Sequence, residues 1–223
     1  MILRRLRWFL GRLISPATGP DAQESEMTAA DLWLVVGLGN PGPKYAGNRH
    51  NIGYLVVEEL AQRLGSSFRA HKTGRAEVVE GRLGTPGTPG PRVVLARPRS
   101  YMNEIGGPVK ALATFYKVPA ERVVAVHDEL DLPFDSMRVK LGGGDNGHNG
   151  LRSIRSSLGT GDFHRVRVGV GRPPGRQDVA DFVLSDYSAQ ERKQVPLQVV
   201  LAADAVETLV AEGLERTQQK FNS

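Results

Sequence analysis

The sequence predicts an α/β fold: a single domain on a mixed, largely parallel twisted sheet with helices on both faces. Three observations point there. Short β-branched apolar runs alternate with stretches of helical spacing along most of the chain, the order that builds parallel sheets through crossover helices. No internal repeat and no second core pattern interrupts them. The 223 residues are 40% hydrophobic and 24% charged, enough for one substantial core and unlike collagen, coiled coil or a disordered chain.

Taken in order, Leu32 to Val36 is a short apolar run ending in Gly37, read as a buried strand. Ile52, Leu55, Val56, Leu60 and Leu64 share one helical face, giving a helix over 52–64. Ala76 to Leu83 and Val93 to Ala96 read as two strands, with Gly84 to Pro91 as a turn or floppy hairpin loop between them. A helical pattern over Pro108 to Tyr116 stops before Pro119. Arg122 to Val126 is a strand followed by His127-Asp128-Glu129, and Met137 to Leu141 a short strand entering three glycines. Leu151, Ile154 and Leu158 mark a helix, and Phe163 to Val170 alternates as a strand. Ser188 and Glu191 have capping-box spacing and open a helical region to about Gly213, which Pro196 should kink or divide.

The first 27 residues stand apart. Arg4, Arg5, Arg7 and Arg12 interrupt the apolar residues of Met1 to Leu13. No run reaches the roughly 18 apolar residues of a membrane span, nor the clean 7–15-residue core, in round numbers, of a secretory signal. Residues 1–30 are read as an extension, disordered or a short basic amphipathic helix, and 31–223 as the one folded domain. Translation starting at Met27 is an alternative. With no export signal and no Cys, the expected location is the cytoplasm and no membrane is required. The lack of Cys also excludes disulfides, a thiol nucleophile and Cys-based zinc sites.

Charge is uneven within a net of +5. Arg138 to Arg176 holds eight basic and two acidic residues, whereas Gln177 to Ser223 holds four basic and eight acidic. An oriented basic surface suits a polyanion such as nucleic acid; an ordinary solvated surface is the bland alternative. Gly37 to Gly42 satisfies G-x-G-x-x-G after a strand. Pro41-Gly42-Pro43 prevents the helix that dinucleotide binding needs there, and the acidic partner expected about 20 residues on is missing.

Uncharged Asn and His recur beside Gly in Gly39-Asn40-Pro41-Gly42, Asn48-Arg49-His50-Asn51, Tyr101-Met102-Asn103 and Gly147-His148-Asn149-Gly150. Several of these segments follow predicted strands, at the carboxyl edge where open α/β sheets bind ligands. A His can serve as general base near neutral pH, oriented by an Asp. Asn amides can hold a peptide-like group and donate to a developing oxyanion. With no G-x-S-x-G elbow, the set reads as acyl hydrolysis by base-activated water. Bland roles stay open for each residue: Asn103 and Asn149 as helix caps, Asp128 as a turn residue, His50 as a loop residue. His148 reads as a loop or packing residue, His164 as packed in its strand, and His71 and His127 as unremarkable. No His pair has metal-ligand spacing on a helix, so no metal is expected.

The strings G-L-G-N-P-G, N-R-H-N-I-G, S-Y-M-N-E, H-D-E-L-D-L-P, K-L-G-G-G-D-N-G-H-N-G-L and F-H-R-V-R-V-G-V-G-R-P, running from about Leu32 to about Leu214, closely resemble the bacterial peptidyl-tRNA hydrolase family. The resemblance implies a monomeric α/β enzyme without cofactor. Its reaction would be hydrolysis of the ester joining a peptide or N-blocked aminoacyl group to tRNA, recycling tRNA from peptidyl-tRNA released by ribosomes. It implies His50 as catalytic base, Asp128 as its orienting carboxylate, and Asn149 in positioning water. Asn40 and Asn103 would bind substrate, with Tyr45 and Met102 lining the cleft for peptide and terminal adenosine. Lys140 and Arg167 would grip the tRNA 5′-phosphate, a role that the basic segment and the shared strand face of Arg165 and Arg167 support; a solvated strand face is the alternative. Ile105 departs from the family's usual Ser, and residues 1–27 have no counterpart. A non-enzymatic RNA-binding module and a peptidase are the competing classes.

Overall fold

The computed structural model describes residues 32–85 and 88–222; the expected extension over residues 1–30, with its amphipathic segment, lies outside the described residues. The strands are β1 (Leu32–Gly37), β2 (Arg69–Ala70), β3 (Ala76–Thr85), β4 (Thr88–Pro98), β5 (Val123–Glu129), β6 (Met137–Leu141) and β7 (His164–Gly169). They form one sheet in the order β2-β3-β4-β1-β5-β7-β6. β4, β1, β5 and β7 are mutually parallel, while β2–β3, β3–β4 and β6–β7 pair antiparallel. The mixed, partly parallel sheet is therefore as the sequence predicts.

Strand alternation splits the core in two. Val35, Leu95, Val124 and Val166 point to one face, where they meet Val56 and Leu60 of helix α1 (Ile52–Arg63). Leu34, Val36, Val94 and Ala125 point to the other, where Leu112 of α2 (Gly106–Tyr116) and Ile154 of α3 (Asn149–Leu158) cover them. Each fully buried aliphatic side chain contributes about 1.5–3 kcal/mol of transfer energy, and the two faces together bury dozens of them. Gly53 decides how α1 sits: a Cβ there would collide with the Val126 carbonyl and the Leu38 amide. Only glycine lets the first turn of α1 rest on the ends of β1 and β5.

Three expectations need correction or narrowing. The strands run further into the stretch Gly84 to Pro91 than expected. The hairpin ladder enters it from both sides, pairing Gly84 with Pro89 and Thr85 with Thr88 after a register shift near Arg82. Gly90 makes this possible, since a Cβ there would strike the Leu83 carbonyl. His127, Asp128 and Glu129 do not follow β5 but lie within it, paired with Arg167, Val168 and Gly169 of β7 and all buried. Of the two effects expected of Pro196, a kink or a division of the helical region, the structure shows the division. The capping box is real, with the Glu191 amide donating to Ser188 Oγ at 3.2 Å and the Ser188 amide to Glu191 Oε2 at 2.6 Å. It opens only the single 3-10 turn Glu191–Lys193. Pro196 then occupies the first turn of the long helix Val195–Glu212, where its missing N–H costs nothing.

Helices α4 (Val179–Val183), α5 (Val195–Glu212) and α6 (Leu214–Phe221) complete the fold. β2, α4 and α6 go beyond the sequence reading: two are very short, and α6 is almost wholly polar after the Gly213 break.

Candidate active site

β1, β4 and β5 end at a common edge, and an open cavity of about 710 Å³ lies over it. His50 sits on the 3-10 turn Arg49–Asn51 that leads into α1. The close seat of α1 on β5 brings its ring to the carboxylate of Asp128, with Nδ1 at 2.8 Å from Oδ1. His50 lines the cavity, and Asp128 leaves its other ring nitrogen, Nε2, disengaged.

A second imidazole reaches the same oxygen. His148 Nε2 is 3.0 Å from Asp128 Oδ1. Its Nδ1 accepts from the amides of Gly150 and Leu151 at 3.1 and 3.3 Å, capping α3. A nitrogen that accepts two backbone N–H groups carries no proton, so Nε2 is the donor to Asp128. The His50 and His148 rings lie 4.9 Å apart, and His127 packs edge-on against His148 at 4.9 Å. His148 is thus the site residue that sequence reasoning set aside as packing, and the helix cap assigned as an alternative to Asn149 is made by His148 instead.

Burial alone would push the Asp128 carboxyl up, but His50 and His148 outweigh it and hold the acid well below the usual carboxylate range. Burial would likewise lower His50, and the charge and hydrogen bond of Asp128 outweigh it, so its pKa is raised above 6.5. His127 is fully buried and held well below the ordinary histidine value, chiefly by desolvation and then by His148. His50, Asp128 and His148 bring ligand-type atoms within 4.8 Å of one another, so the scattered residues do converge, contrary to expectation. The His148 tautomer nevertheless puts a proton between ring and carboxylate, which suits a proton-handling cluster better than a cation site.

Asn40 follows β1 and is buried. Its Oδ1 accepts the Met102 amide at 2.8 Å, which fixes the amide's orientation and leaves Nδ2 to donate. Asn51, beside His50, locks this loop reciprocally: its Oδ1 accepts the Asn40 amide and its Nδ2 donates to the Asn40 carbonyl, both at 2.9 Å. Asn40 is therefore a rigid donor rather than a dual-purpose amide. Tyr45, Met102, Asn103 and Asn149 line the same cavity. Tyr45 packs edge-on to Tyr101 at 6.3 Å, Asn103 stands exposed in the 3-10 turn Met102–Glu104, and Asn149 Oδ1 accepts from Arg152 at 3.2 Å. Ile105 is fully buried in the core beneath this turn.

The opposite wall, Asp178 to Leu184 on and around α4, carried no recognisable sequence signal. Arg49 ties it to the turn that carries His50: its guanidinium donates to Ser185 Oγ and the Asp186 carbonyl at 2.8 Å and to Glu191 Oε2 at 2.7 Å.

Lys140 and Arg167 lie outside this cavity, on the adjoining strands β6 and β7. Arg167 Nε bonds Glu129 Oε2 at 2.8 Å. Lys140 is lowered, first by burial and then by Arg167 and Arg165. Arg165 is not a surface residue: it is 1% exposed and donates to the Gly143 and Gly144 carbonyls. Three cations are thus held around one acid, a cluster that an anion would relieve.

Fold and site together define an α/β protein whose His–Asp pair and amide donors face one open crevice. Comparison with known proteins makes this specific. The peptidyl-tRNA hydrolase family profile matches residues 34–223. Curated relatives named peptidyl-tRNA hydrolase include those of Streptomyces coelicolor, 62% identical over 86% of this chain and 95% of that protein, and of an Arthrobacter species, 60% identical over 86% and 97%. The crystal structure of peptidyl-tRNA hydrolase from Acinetobacter baumannii is 34% identical, covers 86% of this chain and 95% of its own, and superposes with a TM-score of 0.79. The chain belongs to the peptidyl-tRNA hydrolase family.

Proposed function

We propose that this enzyme cleaves the ester of peptidyl-tRNA with water activated by His50. The observation that carries the reading is the His50–Asp128 bond of 2.8 Å beneath an open cavity, which leaves Nε2 to take a proton. His50 takes that proton from a water positioned with help from Asn149. The oxygen attacks the ester carbonyl, and the charge that grows on the imidazole is balanced by Asp128. The Asn40 Nδ2 group donates to the peptide or to the developing oxyanion, and Asn103, at the lip, binds the next peptide group. Proton return from His50 releases the ribose hydroxyl, and the peptide leaves as the free acid. His148 holds Asp128 from behind and keeps it ionised. Tyr45 and Met102 flank the terminal adenosine and first residue.

Lys140 and Arg167 are the phosphate grip for the tRNA. No cofactor enters any step. The monomer is carried over from the family resemblance alone. No helix among the described residues is long and apolar enough to cross a membrane; a substrate released by ribosomes supports work in the cytoplasm. The test compares N-acetyl-aminoacyl-tRNA with the same tRNA bearing a free amino acid. Rapid release from the blocked substrate alone is expected. Equal cleavage of both, or tRNA binding without cleavage of either, refutes the reading.

A further inference from the structure

Three cavities run in series along the sheet edge. The catalytic one shares Asn40 with a second of about 420 Å³, which in turn shares Arg99 with a third of about 420 Å³. The third is bounded by Arg75, Arg99, Ser100 and Glu104 and by Gly107 at the start of α2. Arg75 and Arg99 face each other across the ends of β3 and β4, with the Arg99 amide donating to the Arg75 carbonyl at 2.9 Å. Arg75 Nη1 lies 3.4 Å from where a Gly107 Cβ would stand, so glycine leaves room for the guanidinium.

The second and third cavities differ in how their cations are used. In the second, Arg97 is neutralised by Glu77 at 2.6 Å and by Glu58. In the third, neither Arg75 nor Arg99 has a side-chain partner among the described residues, and Glu104 pairs with neither. The Ser100 hydroxyl is shielded from solvent without a partner. Two guanidiniums and a hydroxyl around one acid leave net positive charge and vacant donors, the chemistry that recognises a carboxylate.

Direction decides which part of the substrate arrives there. The Lys140–Arg167 cluster lies across β5, on the β7–β6 side of the sheet, whereas Arg75 and Arg99 lie on the β4–β3 side. If RNA occupies the first side, as the functional reading on which this inference rests requires, the peptide leaves the crevice past Asn40 and Asn103 toward the second. We propose that the Arg75–Arg99 cavity binds acidic side chains of the departing peptide, so that the enzyme favours peptidyl-tRNAs with Asp or Glu a few residues before the ester.

The experiment uses one tRNA carrying N-acetylated peptides with Asp, Asn or Lys at the second, third or fourth residue from the ester, and the wild-type and R75Q/R99Q enzymes. At one position Asp should exceed Lys by about fivefold in kcat/KM, chiefly through KM, with the margin shrinking as salt rises. In R75Q/R99Q that margin should fall below about twofold. Wild-type hydrolysis with no charge preference at any position would overturn the proposal while leaving the hydrolase reading intact. A preference that survives R75Q/R99Q would overturn it as well. So would an equal KM increase for N-acetyl-aminoacyl-tRNA, which has no peptide to reach the cavity; the arginines would then be touching RNA phosphate. Failure to hydrolyse any blocked substrate would instead remove the functional reading itself.

Discussion

Replacing Asp128 by Asn isolates the carboxylate's charge from its geometry. Both imidazoles bond the same atom, Oδ1, at 2.8 and 3.0 Å, so an Asn carbonyl in that place can still accept from both. What disappears is the negative charge on which the His50 imidazolium depends. Hydrogen bonds to charged groups contribute about 1.5–3 kcal/mol against about 0.5–1.5 for neutral ones. Two such bonds weakened by about 1 kcal/mol each, with the lost Coulomb attraction in a buried site, give at least about 2–3 kcal/mol at the transition state. That is about 10²-fold in kcat; in the serine-protease triad the same exchange costs about 10⁴, which sets the upper end. The pH profile supplies the diagnostic. With Asp128 present, His50 is raised above 6.5, because the aspartate outweighs burial. With Asn, burial alone remains and lowers it. The acid limb of kcat/KM, above pH 6.5 in the wild type, should move below it in Asp128→Asn as kcat falls. Pre-steady-state release of N-acetyl-aminoacyl groups across pH measures both. An unchanged acid limb, or a kcat within threefold of wild type, would refute the argument.

Four further outcomes are expected. Asn40→Asp keeps an acceptor for the Met102 amide but removes the Nδ2 donors, so circular dichroism should stay native while kcat falls about 10²-fold or more. His148→Ala removes the α3 cap and one bond to Asp128; thermal melting should show about 1 kcal/mol lost with a larger proportional loss in kcat. Lys140→Ala should raise KM and flatten its salt dependence, with little change for a minimal substrate lacking the 5′-phosphate. His50→Gln should alter the pH dependence of stability: the folded state raises the His50 pKa, so the wild-type advantage is full below about pH 6.5 and is lost as pH rises through the folded value, which denaturant melts at several pH values can follow.

The strands were legible because apolar runs such as Leu32 to Val36 and Arg122 to Val126 have only one comfortable place, inside a sheet. The ends of such runs were less so. Nothing in His127-Asp128-Glu129 marks three polar residues as strand; β7 pairing and two histidine partners stabilise a buried carboxylate there. Asn40, His50, Asn103 and Asn149 stood out as uncharged polar residues beside glycines, and the structure brings all of them to the cavity with Asp128. His148 did not stand out, since its role depends on Asp128 lying within bonding distance across 20 residues of chain. Arg165 looked like basic surface, because sequence cannot reveal that the glycine loop beside it turns two carbonyls inward. The Asp178–Leu184 wall was invisible for a similar reason: α4 is five residues long, and Arg49, 136 residues before Ser185 in sequence, holds it by lying over Phe182 and bonding Ser185 just past its end.

The central claim is tested most directly by single-turnover rapid quench of excess enzyme with N-acetyl-aminoacyl-tRNA labelled in the acyl group, comparing wild type with His50→Ala. The label should pass from tRNA straight to the free acid in the wild type, and the step should slow by at least about 10²-fold in His50→Ala while tRNA binding persists. Label on the protein before the free acid forms, or a His50→Ala rate close to wild type, would contradict it.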